Sequence, residues 1–257
     1  MKKIILTLKN RKTLSIISIL ISVFVWLGLW ELFAALIDLE FLFPGAIKTV
    51  KTLSSLIITL NFWKTILLSM LRILLGLIIG VAMGIALAII YQLTPFLRRF
   101  ISIGMTVIKS TPVASIILVL WVAIKNGSQR LPIVIALLMV MPIIWQNLCD
   151  GFSAIDKNLS EVCDVFEFSR KKRIKLLVLP NLQKYFTPAF LTSIGLAWKS
   201  GIAAEIISYT KNSIGKNILD SKNVFDGDVM LAWTLTVVLL SLVLEHSVKA
   251  LIRRYGK

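Results

Sequence analysis

The chain has 257 residues, of which 57% are hydrophobic, and its formal net charge is +16 at pH 7. A soluble domain is normally about 45–50% apolar, so the composition excludes an ordinary soluble domain and indicates a polytopic membrane protein. The basic residues lie in loops beside apolar segments, without interleaved aromatic residues, so we expect no nucleic acid partner.

The N-terminal part of the chain predicts one membrane span followed by a surface helix. Residues 14–36 form an apolar run that exceeds the signal-peptide core of about 7–15 residues, so we expect them to remain as the first transmembrane helix. Trp26 and Trp30 suit its outer boundary, and Glu31 is expected near the membrane interface. Residues 37–63 contain a Phe-Pro-Gly turn and then a weakly amphipathic stretch, which predicts an external surface helix.

The second predicted span, residues 66–92, carries a small residue at every fourth position. These residues are Gly76, Gly80, Gly84 and Ala88. Such a row lets another helix approach closely, so it predicts a helix-packing face.

Four further spans are predicted, at residues 100–124, 132–149, 186–209 and 230–248. Pro112 falls in the middle of the third span, and Pro142 predicts a kink in the fourth. A polar segment between the last two spans includes a candidate short helix. The chain is therefore predicted to be an all-α membrane protein with six transmembrane helices, in one domain over residues 1–257.

Lysine and arginine are distributed unevenly between the two sides of the predicted bundle. They concentrate in the N-terminus, in the link between the second and third spans, in the loop between the fourth and fifth spans, and in the C-terminal tail. Because cytoplasmic loops carry an excess of basic residues, we expect both termini to lie in the cytoplasm, with the protein in the cell membrane.

The loop between the fourth and fifth spans has the strongest pattern in the chain. Its basic residues are Lys157, Arg170, Lys171, Lys172, Arg173, Lys175 and Lys184. At helical spacing one face carries Leu159, Val162, Val165 and Phe166, which predicts a short amphipathic helix suited to docking. Ser169 stands at the N-cap position of a second helix, which we expect Pro180 to interrupt.

The spacing from Glu161, through position 167, to Leu179 and Pro180 resembles the EAA loop of the inner-membrane permeases of ABC importers. That family has E-A-A, three residues, G, and later I-x-L-P. Here Val162 and Cys163 replace the alanines, and Glu167 replaces the glycine. A glycine would adopt the turn at a lower conformational cost than Glu. The resemblance extends over about residues 14–255.

The motif GLAWKSGIAAEII in the fifth span is similar to the branch of that family that imports nitrate, taurine, alkanesulfonates and related anions. The same branch includes importers of thiamine precursors and other aromatic compounds, so the substrate stays open. We expect a small organic or inorganic anion, with a thiamine precursor or other aromatic compound as the alternative.

The resemblance implies the type I ABC importer permease fold, with residues 153–180 as a cytoplasmic coupling loop. It also implies two ATPase subunits that bind ATP and Mg²⁺, a second permease chain of the same or a related kind, and an external solute-binding protein. The chain lacks a G-x-x-x-x-G-K-[ST] motif, so we expect it to be no enzyme and to bind no cofactor itself. The implied ATPase-coupling residues are Glu161, Val162, Cys163, Asp164, Phe166, Glu167, Leu179 and Pro180.

Charged residues inside the predicted spans are Arg72, Lys109, Lys199 and Glu205. Each would cost about 2.5–3.5 kcal/mol at the bilayer centre, so each should face a partner or a water-filled path. We expect Arg72 to pair with Glu205 or Glu31. The translocation-path candidates are Lys109, Trp198, Lys199 and Glu205, although internal partners could instead neutralise the two lysines.

Two other classes of protein are weighed against an importer subunit. A membrane-embedded enzyme would need an active-site cluster, whereas His246 is the single histidine and Cys149 and Cys163 lack metal-ligand spacing. No metal site is therefore expected. A stand-alone secondary transporter would show repeated halves with broken helices, and the sequence has no such internal symmetry.

Overall fold

The computed structural model describes residues 2–37, 39, 41–124 and 129–255, with side chains except at 2–16, 19, 20 and 255. The regular elements in these ranges are helices. They are α1 (Lys2–Ile37), α2 (Ala46–Ile57), α3 (Leu60–Leu93), α4 (Pro95–Ser110), α5 (Val113–Ala123), α6 (Leu131–Ser153), α7 (Lys157–Val165), α8 (Arg170–Arg173), a π-helical turn (Ile174–Val178), α9 (Leu179–Ile207), α10 (Ile214–Asn223) and α11 (Gly227–Tyr255).

Four helices among the described residues are long and apolar enough to cross a membrane: Leu60–Leu93, Leu131–Ser153, Arg170–Ile207 and Gly227–Arg254. The bent pair α4 and α5 makes five if it counts as one span. The first predicted span lies within α1, whose apolar part among residues with described side chains is Ile21–Ile37. The basic side chains of the N-terminus, Lys125 and Lys257 lie outside the described residues.

The row of small residues on α3 packs against α6. A Cβ atom at Gly76 would lie 2.4 Å from the carbonyl oxygen of Ile133, and one at Gly80 would lie 2.9 Å from that of Leu137. Ala88 is completely buried on the same helix. The predicted packing face is confirmed, because only glycine allows the two backbones to come this close.

The third predicted span is not one straight helix. α4 ends at Ser110, α5 begins at Val113, and the two axes differ by 103°. Pro112 disfavours helical torsion angles at the preceding residue, and Thr111 is accordingly extended, with ψ 129°. The span is therefore broken at its proline. Pro142 lies inside the continuous helix α6, and the kink predicted there stays a prediction.

The helix that begins at Arg170 does not stop at Pro180, contrary to prediction. Leu179 donates its N–H to the carbonyl of Ile174, five residues earlier, which closes a π-helical turn just before the proline. Such a turn shifts the hydrogen-bond register, and Pro180, in the first turn of α9, needs no N–H partner there. The fifth span thus belongs to a helix that runs from Arg170 to Ile207.

Glu31 links the end of α1 to the start of α2. One carboxylate oxygen accepts hydrogen bonds from the N–H groups of Ala46 at 2.7 Å and Ile47 at 3.4 Å. A carboxylate at a helix N-terminus satisfies free N–H donors and interacts favourably with the helix dipole. The adjacent Gly45 leaves room for it, since a Cβ there would lie 2.4 Å from Glu31 Oε1. The helix predicted after the Phe-Pro-Gly turn is present as α2, and its external position stays a prediction.

Candidate functional site

The first part of the candidate site is α7, at the end of the bundle where α6 ends and α9 begins. Asp156 caps this helix, its carboxylate accepting the N–H of Asn158 at 2.8 Å. The predicted apolar face is exposed, with Val165 79% and Phe166 70% accessible. Glu161 and Asp164 are also exposed, while Cys163 faces inward and is buried. The helix therefore presents an uncovered apolar surface at this end of the bundle.

Glu167 closes α7 in the left-handed conformation that the family's glycine would favour. Its φ is 48°, its N–H donates to the carbonyl of Asp164 at 3.1 Å, and the N–H of Phe168 donates to that of Cys163 at 2.9 Å. This pair of bonds is a Schellman motif, which satisfies the last carbonyls of the helix. Glu167 keeps the turn at a conformational cost of about 1–2 kcal/mol for an L-residue.

Replacing Glu167 with glycine should therefore stabilise the turn by up to about 1 kcal/mol, since part of the relief is lost to the extra freedom of glycine in the unfolded chain. Replacement with valine should destabilise it, because a β-branched residue tolerates a positive φ poorly. Hydrogen exchange of the amides at positions 167 and 168 measures both effects. We expect slower exchange in Glu167→Gly and faster exchange in Glu167→Val, and equal rates in both variants would contradict this account.

Leu179 and Pro180 lie where the π-helical turn passes into α9, and both are exposed. The following residue, Asn181, donates from Nδ2 to the carbonyl oxygen of Gly151 near the end of α6, at 2.7 Å. The coupling-loop residues thus lie at one end of the bundle, and this contact ties the start of α9 to α6.

The second part of the candidate site is a cleft of about 550 Å³ between α9 and α11. Its polar side chains are Thr192 and Lys199 of α9, and Glu245 and Lys249 of α11. Lys249 Nζ lies 3.5 Å from Glu245 Oε2. Lys199 is exposed, and its ammonium group makes no hydrogen bond or ion pair with any residue that the structure describes. The cleft therefore offers one uncompensated ammonium group.

The other path candidates lie apart from this cleft. Trp198 is 2% exposed, and its Nε1 donates to the carbonyl oxygen of Val237 at 3.0 Å. Lys109 is exposed in the last turn of α4, close to the break at Pro112. Glu205 lies two residues before the end of α9. The role of these three residues in a path stays a prediction.

Glu205 belongs to a polar cluster at the end of the bundle opposite to α7. Its side chain is 0% exposed and lies 3.4 Å from Arg72 Nη1, which confirms one of the two pairings expected for this arginine. Its other oxygen accepts from Ser69 Oγ at 2.9 Å and from the N–H of Gly215 at 3.2 Å. The buried carboxylate thus joins α3 and α9 to the first turn of α10, the helix expected in the polar segment.

Arg72 extends this cluster to the loops. Its Nη2 donates to Gln129 Oε1 at 2.6 Å and to the carbonyl oxygen of Lys211 at 3.1 Å, and its Nη1 donates to that of Asn212 at 3.3 Å. Sequence reasoning missed Ser69 in α3 and Gln129 in the segment before α6, because an uncharged polar residue gives no signal of its distant partner.

Several helices long and apolar enough to cross a membrane, with an exposed amphipathic helix between two of them, define a multi-pass membrane protein with an uncovered apolar surface at one end. Residues 76–257 match the family of binding-protein-dependent transport system inner membrane components. The chain belongs to this family. It is a permease component of an ABC importer, a class of subunit that is not itself catalytic.

Two solved structures show the same fold. A crystal structure of an amino acid ABC transporter with histidines matches with a TM-score of 0.62 and 15% identity, covering 76% of this chain and 93% of that one. An inward-facing structure of the MetNI methionine ABC transporter matches with a TM-score of 0.55 and 14% identity, covering 75% and 93%. No curated protein matches this chain. The expected type I importer permease fold is thus confirmed.

Proposed function

We propose that this permease passes a small organic or inorganic anion, such as a sulfonate, taurine or nitrate, from an external binding protein into the cytoplasm. The observation that carries the proposal is the exposed ammonium group of Lys199 in the cleft between α9 and α11. A charge inside a span that faces a cavity rather than a partner marks a solute pathway by default. Glu245 is already paired with Lys249, which leaves Lys199 to attract an anion.

In the complete importer, two ATPase subunits bind ATP and Mg²⁺ and dock on the exposed apolar face of α7. The basic residues of the coupling loop and tail favour a cytoplasmic position for that loop and for both termini. A second permease chain, identical or related, completes the path. Docking would use the exposed side chains of Glu161, Val162, Asp164, Phe166, Glu167, Leu179 and Pro180, with Cys163 packed behind them.

A zwitterionic amino acid is the second candidate substrate, because the cleft also holds the carboxylate of Glu245. That group could exchange Lys249 for a substrate ammonium while Lys199 receives the carboxylate. The two structural neighbours are titled as amino acid and methionine transporters, which supports including amino acids in the test. A thiamine precursor or another aromatic compound would find no aromatic side chain among the residues that line the cleft.

The substitution Lys199→Met tests the proposal directly. Losing a hydrogen bond to a charged group costs about 1.5–3 kcal/mol, so KM for a transported anion should rise by roughly tenfold to a hundredfold. Uptake is measured in vesicles containing the full complex, with a labelled alkanesulfonate, nitrate and methionine as separate probes.

Lys184→Met serves as the matched control, because it removes the same charge from an exposed position on α9 outside the residues that line the cleft. Its uptake kinetics should equal those of the unaltered protein. Unchanged rate and substrate preference in Lys199→Met would show that Lys199 is not part of the path. Uptake of methionine alone would favour the zwitterion over the anion.

A further inference from the structure

The coupling helix α7 is only lightly attached to the bundle. It has nine residues, and Cys163 is the one that is buried. An element with so few buried contacts opens locally at low free-energy cost. The exposed apolar face faces away from the bundle and would contact the ATPase. Transmission of movement from α7 to the spans therefore needs a further connection.

Arg173 supplies such a connection from the next helix. Its Nη1 donates to Asp164 Oδ1 at 2.7 Å, and its Nη2 donates to Ser160 Oγ. Asp164 and Ser160 are four residues apart, so they lie on one face of α7 in successive turns. Two bonds from the planar guanidinium group fix the orientation of α7 as well as its distance, which a lysine ammonium group would not do.

On its other side, Arg173 is joined to the membrane spans. It is the last residue of α8, and the π-helical turn that follows leads directly into α9. The start of α9 packs closely on α6: a Cβ atom at Gly151 would lie 3.0 Å from Leu182 Cδ2 and 3.1 Å from Tyr185 Cδ2. A displacement of Arg173 therefore displaces α9.

We propose that Arg173 is a positioning residue that makes α7 and α9 move together when the ATPase subunits close. The inference rests on the proposed function, because the docked ATPase supplies the movement. Ion pairs between exposed side chains contribute little to stability, and Arg173 and Asp164 are 38% and 64% exposed. The role of the pair is thus geometric, and its loss should uncouple the two helices without unfolding the protein.

The test follows the response of α9 to nucleotide, which requires no knowledge of the substrate. Thr192→Cys places a thiol in the cleft on α9, and its reaction rate with a maleimide is compared between nucleotide-free and ATP-vanadate-trapped complexes in nanodiscs. The parent protein, with Cys149 and Cys163 both buried, gives the background rate. The chain is purified with its cognate ATPase throughout.

We expect trapping to change the labelling rate several-fold in the otherwise unaltered protein, and this change to be lost in Arg173→Ala while the ATPase stays bound. Ser160→Ala, which removes the other acceptor on α7 and lies outside the docking residues, should weaken the change, and Arg173→Ala/Ser160→Ala should lose no more than Arg173→Ala, because both groups act in one interaction. Arg170→Ala is the matched control. It removes an exposed arginine whose side chain bonds to no described residue, so it should keep the full response.

A full nucleotide response in ATPase-bound Arg173→Ala would overturn the positioning role of Arg173 and leave the proposed function intact. Loss of the ATPase from Arg173→Ala but not from Arg170→Ala would also overturn it, because Arg173 would then serve docking rather than transmission. If no ATPase binds the unaltered chain, the proposed function fails, and Arg173 then has no movement to transmit.

Discussion

Arg72→Met is expected to destabilise the protein by about 3–5 kcal/mol, the usual cost of leaving one member of a buried ion pair without its partner. Glu205 is completely buried, and Arg72 is the cation beside it. The substitution also removes the donors to the carbonyl oxygens of Lys211 and Asn212. The free energy of unfolding, measured by denaturant titration in mixed micelles, checks the prediction.

A double variant separates charge burial from lost packing. In Arg72→Met/Glu205→Gln the buried group is neutral and can still accept a hydrogen bond from Ser69, so part of the stability should return. Arg130→Met is the control, because it removes an exposed arginine close in sequence to Gln129, and it should have little effect. A double variant less stable than Arg72→Met would contradict a dominant role for charge.

Gly76→Leu is expected to separate α3 from α6. The first added carbon would already lie 2.4 Å from the carbonyl oxygen of Ile133 and 2.7 Å from Ala136 Cβ. Neither neighbour is the end of a flexible chain, so the helices themselves must move. Overpacking commonly costs about 1–3 kcal/mol, and a leucine at this backbone contact should reach the upper end of that range. Thermal unfolding of the purified protein in mild detergent measures the loss.

The control for this substitution is Gly28→Leu on α1, where an added Cβ would meet nothing within 4 Å. Because both variants exchange glycine for leucine within a helix, helix propensity cancels between them. Equal unfolding temperatures for the two variants would show that the close approach of α3 and α6 does not limit stability.

The features that sequence reasoning predicted are those whose cause is local. The small-residue row from Gly76 to Ala88 specifies a packing face through its spacing alone. Ser169 was predicted as an N-cap from its position, and it accepts the N–H of Lys172 at 3.4 Å. The sequence left open how Glu167 would replace the glycine, and its φ of 48° shows that it keeps the turn. Arg72 could be paired because a charge within a span requires a partner.

The features that were missed depend on contacts between distant segments. A proline in a span is compatible with a kink, a break or a continuous helix, so the sequence predicted neither the break at Pro112 nor the helix that continues past Pro180. The π-helical turn that carries the chain past Pro180 has no sequence signal. Glu245 and Lys249 could not be placed beside Lys199, because their position depends on how α11 is aligned with α9.

The central claim is that this permease is driven by an ATPase docked on α7, and co-purification tests it most directly. The full chain is isolated in mild detergent with its partners, as the unaltered protein and as Phe166→Asp, which puts a charge on the exposed apolar face. Val224→Asp is the control, with a side chain 73% exposed in the turn between α10 and α11. We predict that an active ATP-binding subunit accompanies the unaltered chain and the control but is lost from Phe166→Asp. An ATPase retained by Phe166→Asp, or absent from all three preparations, would contradict the account.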